Sequence, residues 1–160
     1  MATEKLKFKL ELYATYWDKK PICDILINDK SYWSGIIDSE SNNPTLIEFE
    51  HECEEGKEYN LIINRQGKSK GQTVINENGE ITKDQLLHIK SIEIDEIALG
   101  NLVFQGLYRP NYAEPWASQQ RQNGVELPET FKNVTEMGHN GTWTFTFESP
   151  FYMWLLENLY

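Results

Sequence analysis

The chain has 160 residues with a formal net charge of −10 at pH 7; 39% are hydrophobic, 12% aromatic and 25% charged. That length fits one domain spanning residues 1–160, and the composition excludes disorder across the whole chain. The negative balance opposes broad contact with nucleic-acid phosphates or an anionic membrane surface, and the 15 Lys and Arg interspersed among 25 acidic residues argue against a continuous DNA-mimicking face.

From the N-terminus, Leu6, Phe8, Leu10 and Leu12 alternate with Lys5, Lys7, Lys9 and Glu11, the period of a half-buried strand. The same stretch has no uninterrupted apolar core, so neither a signal peptide nor a membrane anchor is expected there, and no other segment is long enough to span a bilayer. Cys23, Ile25 and Ile27 repeat the alternation, and Asn28-Asp29-Lys30 turns the chain into Tyr32–Ile37 as a hairpin. Ile47 and Phe49, the turn Glu55-Gly56-Lys57, and Tyr59, Leu61 and Ile63 read as a second hairpin. Cys23 and Cys53 lie in these alternating stretches, so both are expected as buried thiols rather than as a disulfide.

Turns at Gln66-Gly67-Lys68 and Asn76-Glu77-Asn78-Gly79 precede two or three strands between Gly79 and Gly106, carried by Ile81, Ile89, Ile92, Ile94, Ile97, Leu99, Leu102 and Phe104. Thr142–Phe147 places aromatics on one face and threonines on the other, which predicts a central strand. Short strands separated by polar turns predict an all-β fold, an antiparallel β-sandwich of jelly-roll-like character.

Two segments depart from this pattern. From Tyr108 to Gly141 runs a long irregular loop, 108–141, holding Pro110, Pro115 and Pro128 and the rings of Tyr108, Tyr112, Trp116 and Phe131. Loops of this length serve as binding elements, lids or arms, though such rings also pin a loop onto its own domain. The apolar segment 149–160 reads as a short C-terminal helix, capped by Ser149 ahead of Pro150, with Phe151, Trp154, Leu155 and Leu159 on one face. Tyr152, Met153, Leu156 and Tyr160 make its other faces apolar as well, which predicts cover from a second subunit or partner. A terminal strand is the rival reading.

Nucleotide, hydrolase and metalloprotease signatures are absent from the sequence. His51 and Cys53 share a strand face, but no second pair completes a tetrahedral metal site, so His51 is expected to be structural. Carboxylates are plentiful, and nothing in the sequence sets two of them across a cleft as a glycosidase requires. Between Asp38 and Glu58 eight acidic residues face one lysine, a pattern that fits a solvated strand face. Asn76-Glu77-Asn78-Gly79-Glu80, followed by Asp84, offers oxygen ligands around a turn but lacks the terminal glutamate of a calcium loop. Asn133-Val-Thr and Asn140-Gly-Thr match the glycosylation sequon, which has meaning only in a secreted chain.

The ending from Tyr108-Arg-Pro-Asn-Tyr112 and Glu114-Pro-Trp116, through Gly138-His-Asn-Gly-Thr-Trp143, to the run Ser149–Glu157 resembles a group of poorly characterised small proteins of tailed phages of marine bacteria. That resemblance covers most of the chain and implies a virion or virion-associated component. More loosely, Ile81 to Leu99 is similar to the end of calcium-dependent xylan-binding modules, which are jelly-roll sandwiches. Their histidine and aspartate ligand pattern is not evident here, so their metal and sugar sites are not carried over.

The expectation is therefore a non-enzymatic module that works through its surfaces. One reading is a phage structural protein, a capsid decoration or tail-associated subunit made in a host cytoplasm and resident in the virion, docking on other virion proteins or copies of itself. The alternative is a carbohydrate-binding module stacking glycans on exposed aromatics. Trp17, Trp33, Tyr112 and Trp116 are the ring candidates, with Phe151 and Trp154 as docking candidates in the C-terminal segment. No catalytic residue, metal ligand, cofactor, nucleic acid or membrane is expected.

Overall fold

The computed structural model describes residues 2–69 and 71–159; Tyr160, counted above among the apolar residues of the C-terminal segment, lies outside them. In chain order the strands are β1 (Thr3–Thr15), β2 (Ile22–Ile27), β3 (Lys30–Ile36), β4 (Thr45–Glu54) and β5 (Glu58–Gln66). There follow β6 (Val74–Ile75), β7 (Ile81–Lys83), β8 (Leu86–Ile94), β9 (Ile97–Ala98), a 3-10 helix (Gly100–Gln105) and β10 (Leu107–Pro110). The chain continues through α1 (Trp116–Gln122), β11 (Phe131–Lys132), β12 (Glu136–Met137), β13 (Gly141–Glu148) and α2 (Phe151–Asn158).

The fold is an antiparallel β-sandwich. One sheet runs β12-β8-β1-β4 with β9 beside β8, the other β11-β10-β13-β5-β2-β3, while β6 and β7 form a separate small hairpin. Period two dictates the packing: Leu6, Phe8, Leu10 and Leu12 of β1 face Cys23, Ile25, Ile27, Leu61, Ile63, Trp143, Phe145 and Phe147 of the other sheet, all fully buried. In β8 the apolar spacing lengthens by one between Ile89 and Ile92, and the register against β1 shifts there, so this bulge keeps both isoleucines in the core. Gly106 is fixed by the same core, because a Cβ there would sit 2.1 Å from the Trp143 indole. Both cysteines are buried free thiols, their pKa values pushed up to about 12 by burial and then by Asp24 or Glu4.

The acidic stretch finds its complement outside the core. Lys5, Lys7 and Lys9 of β1 stand opposite Glu52, Glu50 and Glu48 of β4, and Lys9 is also opposite Glu93 of β8. Lysines between two glutamate rows satisfy cross-strand charge pairing on a solvated face. Among the described residues no helix is long and apolar enough to cross a membrane.

Several local expectations are corrected. The turn Glu55-Gly56-Lys57 does not close a hairpin: β4 pairs with β1 and β5 with β2 and β13, so the turn arches from one sheet to the other. Alternation tells which side chains face inward and is silent on which sheet a strand joins. Leu102 and Phe104 lie in the 3-10 helix rather than a strand. The 108–141 segment is not irregular throughout; it holds α1 and splices β11 and β12 onto the edges of the two sheets, pieces too short to leave a period.

The C-terminal helix is present, with Phe151, Trp154 and Leu155 in the core. Leu159 falls past its end and is exposed. Ser149 does not cap it. The Ser149 hydroxyl donates to Glu4 Oε2 at 2.5 Å, and that carboxylate oxygen also accepts the Phe151 N–H at 2.7 Å. An anion from β1 thus occupies the N-terminal end of α2, where the helix dipole favours it.

Candidate functional site

Residues 71–84 stand outside the two main sheets and hold the β6–β7 hairpin, and the base of that excursion is built from polar groups. Arg65, at the end of β5, is fully buried. Its Nη1 donates to Asn140 Oδ1 at 2.9 Å and its Nη2 to the Gln85 carbonyl at 2.7 Å. Burial pulls the guanidinium down to about 10, opposed by Tyr108 and Asp84, so it remains a cation at neutral pH. Asn140 also accepts the Lys68 N–H and returns a bond to the Lys68 carbonyl. These contacts pin the turn before the hairpin to the start of β13.

Asp84 is the second hub. Its Oδ1 accepts from Thr73 Oγ1 at 2.6 Å, the Gln85 N–H at 2.8 Å and Lys68 Nζ at 3.0 Å. Burial pushes this carboxyl up, yet the three donors and the lysine charge outweigh it and hold the pKa below the usual carboxylate range. Lys68 Nζ makes a second bond to the Gly138 carbonyl. The side chains of Lys68 and Asp84 are 13% and 17% exposed, so the pair sits at the base of a depression rather than on open surface.

That depression is a cleft of about 480 Å³. Ile75 and Ile81 of the hairpin line one side, and Asn111, Glu114, Trp116 and Gln119 from the 108–141 segment line another. Lys68, Asp84, His139 and Asn140 complete it. Trp116, at the start of α1, is 38% exposed. The ring packs against His139 at 5.5 Å and Tyr112 at 6.1 Å between centroids. His139 is fixed in turn by Tyr108, whose hydroxyl accepts the His139 N–H at 2.9 Å and donates to the His139 carbonyl. Burial, then Lys68, lowers the His139 pKa, so the imidazole facing the cleft is neutral at pH 7.

Of the six ring and docking candidates chosen from the sequence, Trp116 is the one in the lining of this cleft. Trp17 is 43% exposed, but its Nε1 donates to the Gln72 carbonyl at 2.8 Å and Lys83 covers its ring at 4.7 Å, which makes it a clip at the hairpin base. Trp33 packs on the rim of the core and over Gly35. Tyr112 spends its hydroxyl on the Pro128 carbonyl and packs against the Trp116 ring. Phe151 and Trp154 are core residues, so they offer a partner no surface; the exposed apolar residues of the C-terminal helix are Tyr152, Met153 and Leu156, with Leu159 just beyond it.

Sequence reading met Lys68 as a turn residue, Asn140 as a sequon, His139 within a motif and Asp84 as part of a calcium-like turn, and assigned none of them to a common site. That turn is occupied by itself: Asn76 Oδ1 accepts the N–H groups of Asn78 and Glu80 and closes the hairpin. Among the described residues no three His, Cys, Asp or Glu side chains come together to hold a metal. His51 instead hydrogen-bonds the Tyr32 hydroxyl and packs edge-on against Tyr59.

No protein-family model matches the chain, and no curated protein matches it. A solved structure titled "vCBM60 in complex with galactobiose" superposes on 87% of this chain and 96% of its own, at a TM-score of 0.48 and 6% identity. The galactobiose belongs to that protein. The tailed-phage resemblance has no counterpart among these findings.

Proposed function

We propose that this protein is a non-catalytic glycan-binding module whose site is the Trp116 cleft. The observation that carries the reading is the pairing of a supported, partly exposed indole with a polar base in one concave site. The C–H face of a sugar ring stacks on an indole, while its hydroxyls need charged or amide partners at fixed positions. Asp84, Glu114, Asn111, Gln119 and Asn140 supply those groups around Trp116.

The test is calorimetric titration of a neutral oligosaccharide panel into the wild type and Trp116→Ala. Binding that disappears in a variant with an unchanged melting curve supports the module. Binding insensitive to Trp116 places the site elsewhere.

A second reading, docking on another protein as a virion component would, is favoured by one observation: Tyr152, Met153 and Leu156 leave one face of α2 apolar and 50%, 58% and 58% exposed. Mass spectrometry of purified particles, alongside incorporation of Met153→Ser/Leu156→Ser, tests it.

A further inference from the structure

All three hydrogen bonds that Asp84 accepts fall on Oδ1. Among the described residues Oδ2 accepts none, although the side chain lines the cleft. Lys68 is incomplete in a matching way. Its ammonium group has three hydrogens, of which one goes to Asp84 Oδ1 and one to the Gly138 carbonyl. The remaining donor and the remaining acceptor belong to groups locked 3.0 Å apart at the base of a concave site. Asp84 is fixed by Thr73 and the Gln85 N–H, and the Lys68 ammonium is held by its bonds to Asp84 and the Gly138 carbonyl on a side chain only 13% exposed.

We propose that Lys68 and Asp84 together read a vicinal diol: Lys68 Nζ donates to one hydroxyl oxygen, and Asp84 Oδ2 accepts the hydrogen of the neighbouring hydroxyl. This rests on the glycan reading of the cleft and names the ligand class within it, neutral sugars that present two adjacent hydroxyls while stacking on Trp116. The charges of the site point the same way. Lys68 and Asp84 neutralise each other, Glu114 is paired with Arg121 at 4.0 Å, and the chain as a whole carries −10, so among the described residues the cleft lining offers a uronate or sulfated glycan no unpaired cation to offset the overall field. Hydrogen bonds to ionised groups outweigh neutral ones, which makes this pair the main source of selectivity in the cleft.

The experiment titrates the wild type with neutral oligosaccharides of glucose, galactose, mannose and xylose and with an oligogalacturonate, then repeats the best neutral ligand as monodeoxy analogues. The expected result is neutral binding, weakened about tenfold or more by removing one hydroxyl of a particular adjacent pair. In Lys68→Met the parent sugar weakens by a similar factor, and one of the two deoxy analogues then binds no worse than the parent. Asp84→Asn gives the same pattern for the other hydroxyl; because Asp84 also holds Thr73, the deoxy series on unaltered protein stands independently of that variant's stability. Equal affinity for every deoxy analogue, wild-type binding by Lys68→Met, or tighter binding of the oligogalacturonate each overturns the diol reader. If Trp116→Ala loses binding while Lys68→Met keeps it, the glycan module stands and the diol reader falls. If no neutral sugar binds at millimolar concentration, both fall.

Discussion

The two segments that break the strand pattern, 108–141 and 149–160, are both rich in aromatics, and they distribute them in opposite ways. The C-terminal helix sends Phe151 and Trp154 into the core and leaves Tyr152, Met153 and Leu156 outside, where their one side-chain hydrogen bond among the described residues runs from the Tyr152 hydroxyl to Asp95 Oδ2 at 3.3 Å. The long segment keeps Trp116 partly exposed, braces it with Tyr112 and His139, and sets it across from the fixed Lys68–Asp84 pair. Exposed apolar surface alone is a weak sign of recognition. A ring held rigid beside hydrogen-bonding groups whose geometry is already determined has much of the ordering cost of binding met before the ligand arrives.

The largest effect that separates the two segments is expected at Phe151. Phe151→Ala empties a fully buried site next to Phe147 and should destabilise the isolated protein by about 3–5 kcal/mol in denaturant melts. A loss below about 1 kcal/mol would mean that the helix is an appendage and the comparison is misdrawn. Trp116→Ala should behave in the reverse sense, costing about 1 kcal/mol or less in stability and about 2 kcal/mol or more in glycan affinity.

Acid sharpens the contrast further. Burial lowers the pKa values of His51, His88 and His139 below 6.5, with Lys30 adding to the effect at His51 and Lys68 at His139. The unfolded chain therefore takes up protons first as pH falls, so stability is fully present above about pH 6.5 and declines as pH drops through the lower folded-state values. Denaturant midpoints between pH 7.5 and 5 should fall with acidity, and more shallowly in His139→Gln. A midpoint independent of pH would remove the claim that these imidazoles are held neutral. The smallest effect is expected on the outer face of α2, where Leu156→Ser should change the stability of the isolated protein by about 0.5 kcal/mol or less. A larger loss would show that this face is covered within the molecule's own assembly.

How much was legible follows from what each signal encodes. Alternation in β1, β2, β5 and β13 marked the inward residues because a half-buried strand can place them in one way only. It did not say that β4 and β5 belong to different sheets, since both carry one apolar face and either pairing satisfies it. The cleft was less legible still. Lys68, Asp84 and His139 come from separate parts of the chain and look individually like ordinary polar loop residues; only the fold, which ties Lys68 to Gly138 and Asn140 ahead of β13, brings them to one cleft. Trp116 was visible because a large ring in a proline-rich loop is anomalous by itself. Phe151 and Trp154 share the helical face that the spacing marked out and that the core takes up; as docking candidates they were misjudged because the other faces of the helix are apolar too, so composition did not say which face is covered.

The carboxylate of Glu4 at the start of α2 also bears on how the molecule is made. Glu4 and Phe151 are 147 positions apart, and β1 lies inside its sheet between β4 and β8. During synthesis β1 thus has no sheet partner until β4 has emerged, no second neighbour until β8, and no contact with α2 until Phe151 has been made. For that interval its row of Leu6, Phe8, Leu10 and Leu12 is open to water, with the flanking lysines as the main guard against pairing with other nascent chains. A topology so dependent on distant pairings is expected to refold over milliseconds to seconds rather than microseconds.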